Sequence, residues 1–290
     1  MRALLVHNAN AGTDPEPRAE IEAELHNAGF HTSYCAHGED DLSAALQTDY
    51  DFVIAAGGDG TVSHVVSAHE HVDRPIAILP LGGSNNIATA LGISEDWRAS
   101  ARSWSLDRWV LLDRCEADGP WGKKNFIEAL GSGALTEAFA KVDEEPDTDA
   151  RKRANGREAF RMALEEAAPF RCCIEADGWE WDEDCLMVEV MNMSLVGSRL
   201  ALAGDAAPGD GVLDIIIVSP DQRQSMVAWA RDPDASPCPI APRRAAALRM
   251  TVDERPFRLD DRSPDEKLSG TVDIRVRTTP VRILTNGHTI

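Results

Sequence analysis

The sequence predicts an α/β fold, with a parallel-sheet domain at the N-terminus followed by a second, mainly β domain. Three observations carry that expectation. Short apolar runs alternate with helical patterns through the first third, two of those runs end in glycine-rich loops at 57–61 and 82–86, and after about Leu112 the texture changes to strand-like runs.

Taken in order, residues 3–6 form a short apolar strand, 17–28 a helical stretch, 51–56 a second strand, 62–69 a helix and 75–81 a third strand. Successive β-α units of this kind feed a parallel sheet, and ligands sit in the loops at the strand C-terminal ends. Beyond Leu112, residues 125–129, 186–193, 213–218, 271–276 and 281–284 alternate or are β-branched, which predicts the β domain. Two segments depart from the pattern. Residues 141–168 are charged and rich in helix formers, with Arg151, Lys152, Arg153 and Arg157 close together. They read as a helix with a solvated face, or as a basic patch turned towards lipid headgroups. Residues 232–244 hold four prolines and predict a surface loop.

Charge narrows the function classes. With 49 Asp plus Glu against 29 Lys plus Arg, the formal charge of -20 argues against nucleic acid as a partner, since that needs a basic face. The same charge repels anionic headgroups, so transient contact with a membrane surface needs a local basic patch or an apolar rim. No apolar run approaches the ~20 residues that span a bilayer. The apolar core at 3–6 is too short for a signal peptide, so the expected location is cytoplasmic, peripheral at the membrane if a patch exists. The cysteines at 35, 115, 172, 173, 185 and 238 lack metal-ligand spacing and read as reduced thiols.

The loop Gly57-Gly58-Asp59-Gly60-Thr61 lies directly after an apolar strand and directly before an apolar-periodic helix. Consecutive glycines let backbone N–H groups point into one concavity, and the helix N-terminus adds the positive end of its dipole, so phosphate oxygens find donors without a side-chain cation. Asp59 suits a position near a transferred phosphoryl group or its metal, and Thr61 offers a hydroxyl to phosphate. A tight turn with Asp as a cap is the alternative. A second loop of the same kind, PLGGSNN at 80–86, follows about 20 residues later and opens another helix, with Ser84 or Asn85 suited to the N-cap. Two such loops at neighbouring strand ends face one crevice.

GGDGT at 57–61 followed by PLGGSNN resembles the paired signature of the diacylglycerol kinase catalytic domain family. LLVHNANAG is similar to that family's opening strand and phosphate loop, with Asn8 and Gly12 kept. APGDGVLDIIIV at 207–218 is similar to its Asp-Gly-x-Leu-Asp strand, and FRLDDR at 257–262 occupies the place of its Asp-Gly-Glu element. The resemblance implies a Rossmann-like nucleotide domain over 1–115, to which 280–290 return, and a β-sandwich lipid-substrate domain over 116–279. It implies ATP and Mg2+ as cofactors, a lipid acceptor such as diacylglycerol or a long-chain base, and a homodimer, for which the sequence shows no interface signature.

Carried over residue by residue, Asn8, Gly12, Gly57, Gly58, Asp59, Gly60, Thr61, Ser63, Gly82, Gly83 and Asn85 would contact the nucleotide. The backbone carbonyls of Ala207 and Val212 and the carboxylate of Asp210 would hold Mg2+; a turn Asp before Gly211 is the alternative. Gly83 stands where the family has Thr, Asn86 where it has Asp, and Asp260-Asp261-Arg262 where it has Asp-Gly-Glu. Arg262 cannot act as a general base, so Asp260 or Asp261 would have to serve, with Asp260 the better candidate beside Asp59; solvated loop carboxylates are the alternative for both. Cys35, near a position where the family has a nucleotide-contacting Thr, reads as a small packed residue. Two rivals stand beside the lipid kinase: a nucleotide-binding sensor or scaffold of the same fold with impaired catalysis, and a soluble-substrate enzyme of the NAD kinase type.

Overall fold

The computed structural model describes residues 1–71, 73–140, 148–262 and 267–285. The chain divides into two compact units, Met1–Leu112 with a segment that returns from Thr279, and Asp113–Thr278.

The first unit is built on β1 (Arg2–His7), α1 (Arg18–Asn27), β2 (His31–Ala36), α2 (Leu42–Ala45), β3 (Phe52–Gly57), α3 (Asp59–Ala68), β4 (Ile76–Pro80), α4 (Asn86–Ala90), α5 (Trp97–Ser103) and β5 (Trp109–Leu112). Every residue of β3 and β4 is buried, as strands covered on both faces require, whereas β2 alternates as an edge strand does. The sheet order is β2-β1-β3-β4, then the returning strand Val281–Leu284, then β5. All pairings are parallel except the last, in which Val281 faces Leu112. One face carries a core in which Ile21 and Leu25 of α1 meet Phe30, Phe52, Trp97 and Trp104. The connections from β1 leave towards β2 and then cross back to β3. The winding therefore reverses between β1 and β3, where open α/β sheets bind their ligands.

The second unit contains β6 (Cys115–Gly119), β7 (Gly122–Phe126), β8 (Ala129–Gly133), α6 (Ala134–Phe139), α7 (Asp149–Glu166), β9 (Phe170–Ala176), β10 (Trp179–Cys185), β11 (Met187–Met191), β12 (Leu213–Val218), α8 (Arg223–Ala230), β13 (Arg243–Ala245), β14 (Ala247–Leu259) and β15 (Lys267–Val276). Its strands pair antiparallel. The long β14 joins the two halves: its first part pairs with β15 and β9, a bulge falls between Val252 and Arg255, and its last three residues pair with β8. One core, with Phe126, Val188, Ile215, Met250 and Ile274, lies against one face of these strands. Another packs α6, α7 and α8 on the opposite side through Leu135, Phe160, Leu164 and Met226. This is the β-sandwich that the resemblance implies, in the mainly β domain that the sequence pattern predicts.

Three local outcomes differ from the sequence reading. The run expected as one strand over 125–129 is broken, because Ile127 and Glu128 leave the ladder between β7 and β8. The edge strand β2, HTSYCA, carries too few apolar residues to register as a strand, and its Cys35 is buried as a small packed residue. In the basic stretch, helix α7 starts at Asp149 with Thr148 as its cap, and residues 141–147 lie outside the described residues. Arg157 of that helix turns to the protein, donating to the carbonyls of Ser198 and Arg199 and pairing with Asp234 at 2.6 Å. It therefore does not serve a lipid-facing patch.

Candidate functional site

Next to the winding reversal, Gly57 ends β3 in register with Pro80 at the end of β4, and the Leu81 amide donates to the Gly57 carbonyl at 3.0 Å. The two glycine loops meet one residue further on. A Cβ built on Gly82 would lie 2.4 Å from the Cα of Gly58, so the loops touch main chain to main chain and only glycine fits. Gly58 is the N-cap of the ten-residue helix α3, in extended conformation. The first bonds of that helix run from the amides of Thr61 and Val62 to the Gly58 carbonyl, at 3.0 and 3.1 Å. Amides that precede the first such bonds find no acceptor within their own helix and carry the positive end of its dipole. Gly60 is exposed, with no atom within 4 Å of where its Cβ would be.

From β1, the Asn8 side-chain amide donates to the Thr61 hydroxyl at 3.3 Å, and its carbonyl accepts from Asn10 N–H at 3.0 Å. Gly12 follows at φ +77°, which closes the loop. Ser63, one turn into α3, is buried. The structure therefore brings Asn8, Gly12, Gly57, Gly58, Gly60, Thr61, Gly82 and Gly83 to one edge of one sheet.

Asp59 and Asn85 have different tasks from those expected. The buried Asp59 carboxylate accepts from the amides of Asn86 and Ile87, both at 2.9 Å, and so caps α4 from 27 residues away. Asn85, the N-cap by position, sits at φ +51° and makes no cap bond. Instead its carboxamide accepts from Gly82 N–H at 2.9 Å and donates to the carbonyls of Gly82 at 2.7 Å and Pro80 at 3.3 Å. The amides of Leu81, Gly82, Asn86 and Ile87 thus bind the chain itself. Asn85 is a brace of the loop, since its polar atoms are already engaged. Gly82→Ala is expected to force the loops apart and to cost ~1–3 kcal/mol of stability, read in a urea titration.

In the second unit, Asp260 opens a tight turn over 259–262 at φ +50°, closed by the Arg262 amide on the Leu259 carbonyl at 3.1 Å. Its carboxylate is buried and accepts from the amides of Ile127 at 3.0 Å, Glu128 at 2.7 Å and Ala129 at 3.3 Å. This is why the strand breaks at 127–128. The expectation that Asp260 meets an incoming hydroxyl gives way to a bracing role, because a base must reach the proton it takes. Asp261 and Arg262, next in the turn, are exposed.

Asp210 is exposed, and its carboxylate accepts from Val212 N–H at 2.9 Å while its own amide donates to Ala207 at 3.3 Å. Asp113 lies against the same loop, accepting from Gly211 N–H at 2.7 Å and donating its amide to Pro208 at 2.6 Å. Burial pushes the Asp113 carboxyl above its ordinary value, the Gly211 amide opposes the shift, and the charge of Asp210 adds to it.

Comparison with known proteins agrees with this geometry. Residues 2–115 match the diacylglycerol kinase catalytic domain, and residues 140–232 match the YegS C-terminal NAD kinase β-sandwich-like domain. The chain is thus similar to the diacylglycerol kinase catalytic domain over its N-terminal part and to the YegS lipid kinases over part of its second unit. It is 26% identical over 247 residues to a protein of Klebsiella pneumoniae named "Probable lipid kinase YegS-like", covering 81% of this chain and 80% of that one. It is 29% identical over 228 residues to the diacylglycerol kinase of Bacillus subtilis, covering 75% and 73%. A solved diacylglycerol kinase structure from Bacillus anthracis superposes over 100% of this chain and 98% of that one, with a TM-score of 0.71 at 17% identity, and so shares the fold.

The cation that this family implies finds hard oxygen donors in the 207–212 loop. Asp210 and the carbonyls of Ala207 and Val212 would hold it, with Asp113 as a second carboxylate close enough for its protonation to respond to Asp210. The sequence reading missed Asp113 and the fully buried Glu189 and Arg258. Their signal was present: each is a charge set into an apolar run, VLLDRC, LMVEVM and PFRL. No helix among the described residues is long and apolar enough to cross a membrane.

Proposed function

We propose that this chain transfers the γ-phosphoryl group of ATP to a hydroxyl of diacylglycerol or a related lipid. The observation that carries this reading is the meeting of two glycine loops at Gly58 and Gly82 beside the N-terminal end of α3, at the ends of β3 and β4 and next to the point where the sheet winding reverses. An anionic triphosphate tail suits that end of the helix, with Gly58, Gly60 and Gly83 supplying main-chain surface and Thr61, oriented by Asn8, a hydroxyl. In the transfer, the lipid oxygen forms a bond to the γ-phosphorus, the bond from that phosphorus to the β–γ bridging oxygen breaks, and ADP leaves with the electron pair. The hydroxyl proton passes to a carboxylate. Asp261 takes that role, since it is exposed on the turn whose Asp260 is braced. A magnesium ion held by the Asp210 carboxylate and the carbonyls of Ala207 and Val212 would supply positive charge among hard oxygens.

Labelled ATP incubated with the protein and fractionated lipids should give labelled phospholipid, and Asp261→Asn should lower kcat by at least a hundredfold. Absence of any lipid product, with NAD as a second acceptor arm, would end this reading. Arg262 in place of an acid favours one competing reading, a nucleotide-binding sensor. That reading expects ATP binding without product.

A further inference from the structure

We infer that the buried Glu189–Arg258 pair is a positioning strut for the acidic turn at 259–262, so that its loss slows turnover without weakening nucleotide binding. The inference rests on the phosphotransfer reading for its kinetic part and on geometry alone for its structural part.

Glu189 is the middle residue of β11, between Met187 and Met191, and Arg258 is the penultimate residue of β14. Both side chains are fully buried and joined at 2.5 Å. A buried pair of this kind is a poor device for stability alone, because desolvating two charges offsets most of their attraction, and apolar replacements of the same volume serve as well. What distinguishes this pair is the other arm of the guanidinium. One terminal nitrogen of Arg258 binds Glu189, and the other donates to the main-chain carbonyl of Asp260 at 2.5 Å.

Asp260 needs such a hold. It is a non-glycine residue at φ +50°, in the left-handed region that such residues rarely adopt. Its carboxylate is pinned by the amides of 127–129 and its carbonyl by Arg258, so the turn is clamped at both its side chain and its main chain. The surroundings are cut to admit the pair. A Cβ on Gly131 would lie 2.1 Å from a Glu189 carboxylate oxygen, and the Phe139 ring of α6 lies 4.9 Å from the guanidinium carbon. Among the described residues, Glu189 Oε1 and Arg258 Nε have no hydrogen-bond partner, so the site retains charges it does not fully satisfy. A retained, under-satisfied ion pair whose spare donor holds a strained turn points to positioning of that turn.

The test uses the full chain with Glu189→Gln, Arg258→Lys and the apolar double variant Glu189→Met/Arg258→Met. Amide hydrogen exchange is followed by mass spectrometry in peptides covering 257–262 and 126–130, with ATP affinity by calorimetry and kcat and KM for lipid phosphorylation. Both single variants should speed exchange in the two peptides at least tenfold and lower kcat at least tenfold, while the ATP dissociation constant stays within twofold. The double variant guards against failure to fold: it should be folded, yet keep the loosened turn and the low kcat. Unchanged exchange at 257–262 in either folded single variant, or wild-type kcat in the double variant, would overturn the inference. If the wild type itself phosphorylates no lipid, the kinetic arm falls with the proposed function, while the exchange arm still decides whether the strut exists.

Discussion

Asp59→Ala is expected to lower the unfolding free energy by ~3–5 kcal/mol, because it removes a buried carboxylate and leaves two buried amides without an acceptor. The carboxylate holds the Asn86 and Ile87 amides at 2.9 Å each, while Asn85, at the N-cap position of α4, makes no cap bond. Asp59→Asn keeps one acceptor oxygen and turns an NH2 group towards the other amide, so about half of that loss is expected. Urea titrations of the three proteins, with and without ATP, check the ordering. The result bears on function as well as stability. Asp59 is the first residue of α3 and holds the first amides of α4, so loss of transfer in Asp59→Asn would reflect displaced loops as much as a missing charge. A variant with wild-type stability would remove the capping role.

The second large effect is expected at Glu189 and Arg258. Either Glu189→Leu or Arg258→Met alone should cost ~3–5 kcal/mol by stranding a buried charge, whereas the double variant should lie within ~2 kcal/mol of wild type, a coupling that a double-mutant cycle measures. Acidity gives an independent readout. Burial raises the Glu189 carboxyl to about 6, with the Arg258 charge and hydrogen bond opposing that rise. A group raised on folding stabilises fully below its unfolded value and loses that contribution as pH climbs through the folded value. Between pH 7 and pH 5, wild type should therefore gain about 1 kcal/mol relative to Glu189→Gln, which does not titrate. An equal gap at both pH values would show that Glu189 stays ionised throughout.

The fold was largely legible because β3 and β4 are unbroken apolar runs of strand length closed by glycine loops, and no helical register explains them. β2 was not, since an edge strand needs little apolar content. The site was legible as a set of loops but not as a set of roles. Asp59 in GGDGT reads as a phosphate-site carboxylate, and the amides it binds lie 27 and 28 residues on, beyond any local signal. Asp260 is harder still: the amides it binds are more than 130 residues earlier, and only strand pairing between β14 and β8 brings them together. Helix capping is usually sought within one turn, and Asn85 had the right chemistry in the right place. The left-handed backbone at that residue sends its carboxamide back into its own loop instead.

The returning strand carries a consequence for biosynthesis. Val281–Leu284 is inserted between β4 and β5, so the sheet of the first unit is closed by residues made after the whole of the second. While the ribosome is still translating the second unit, the far side of β4 presents unpaired peptide groups, a template for promiscuous strand addition. The nascent chain therefore completes its two units in the reverse of the order in which they begin, and a premature stop even a few codons before 281 leaves the first unit's sheet open beside β4.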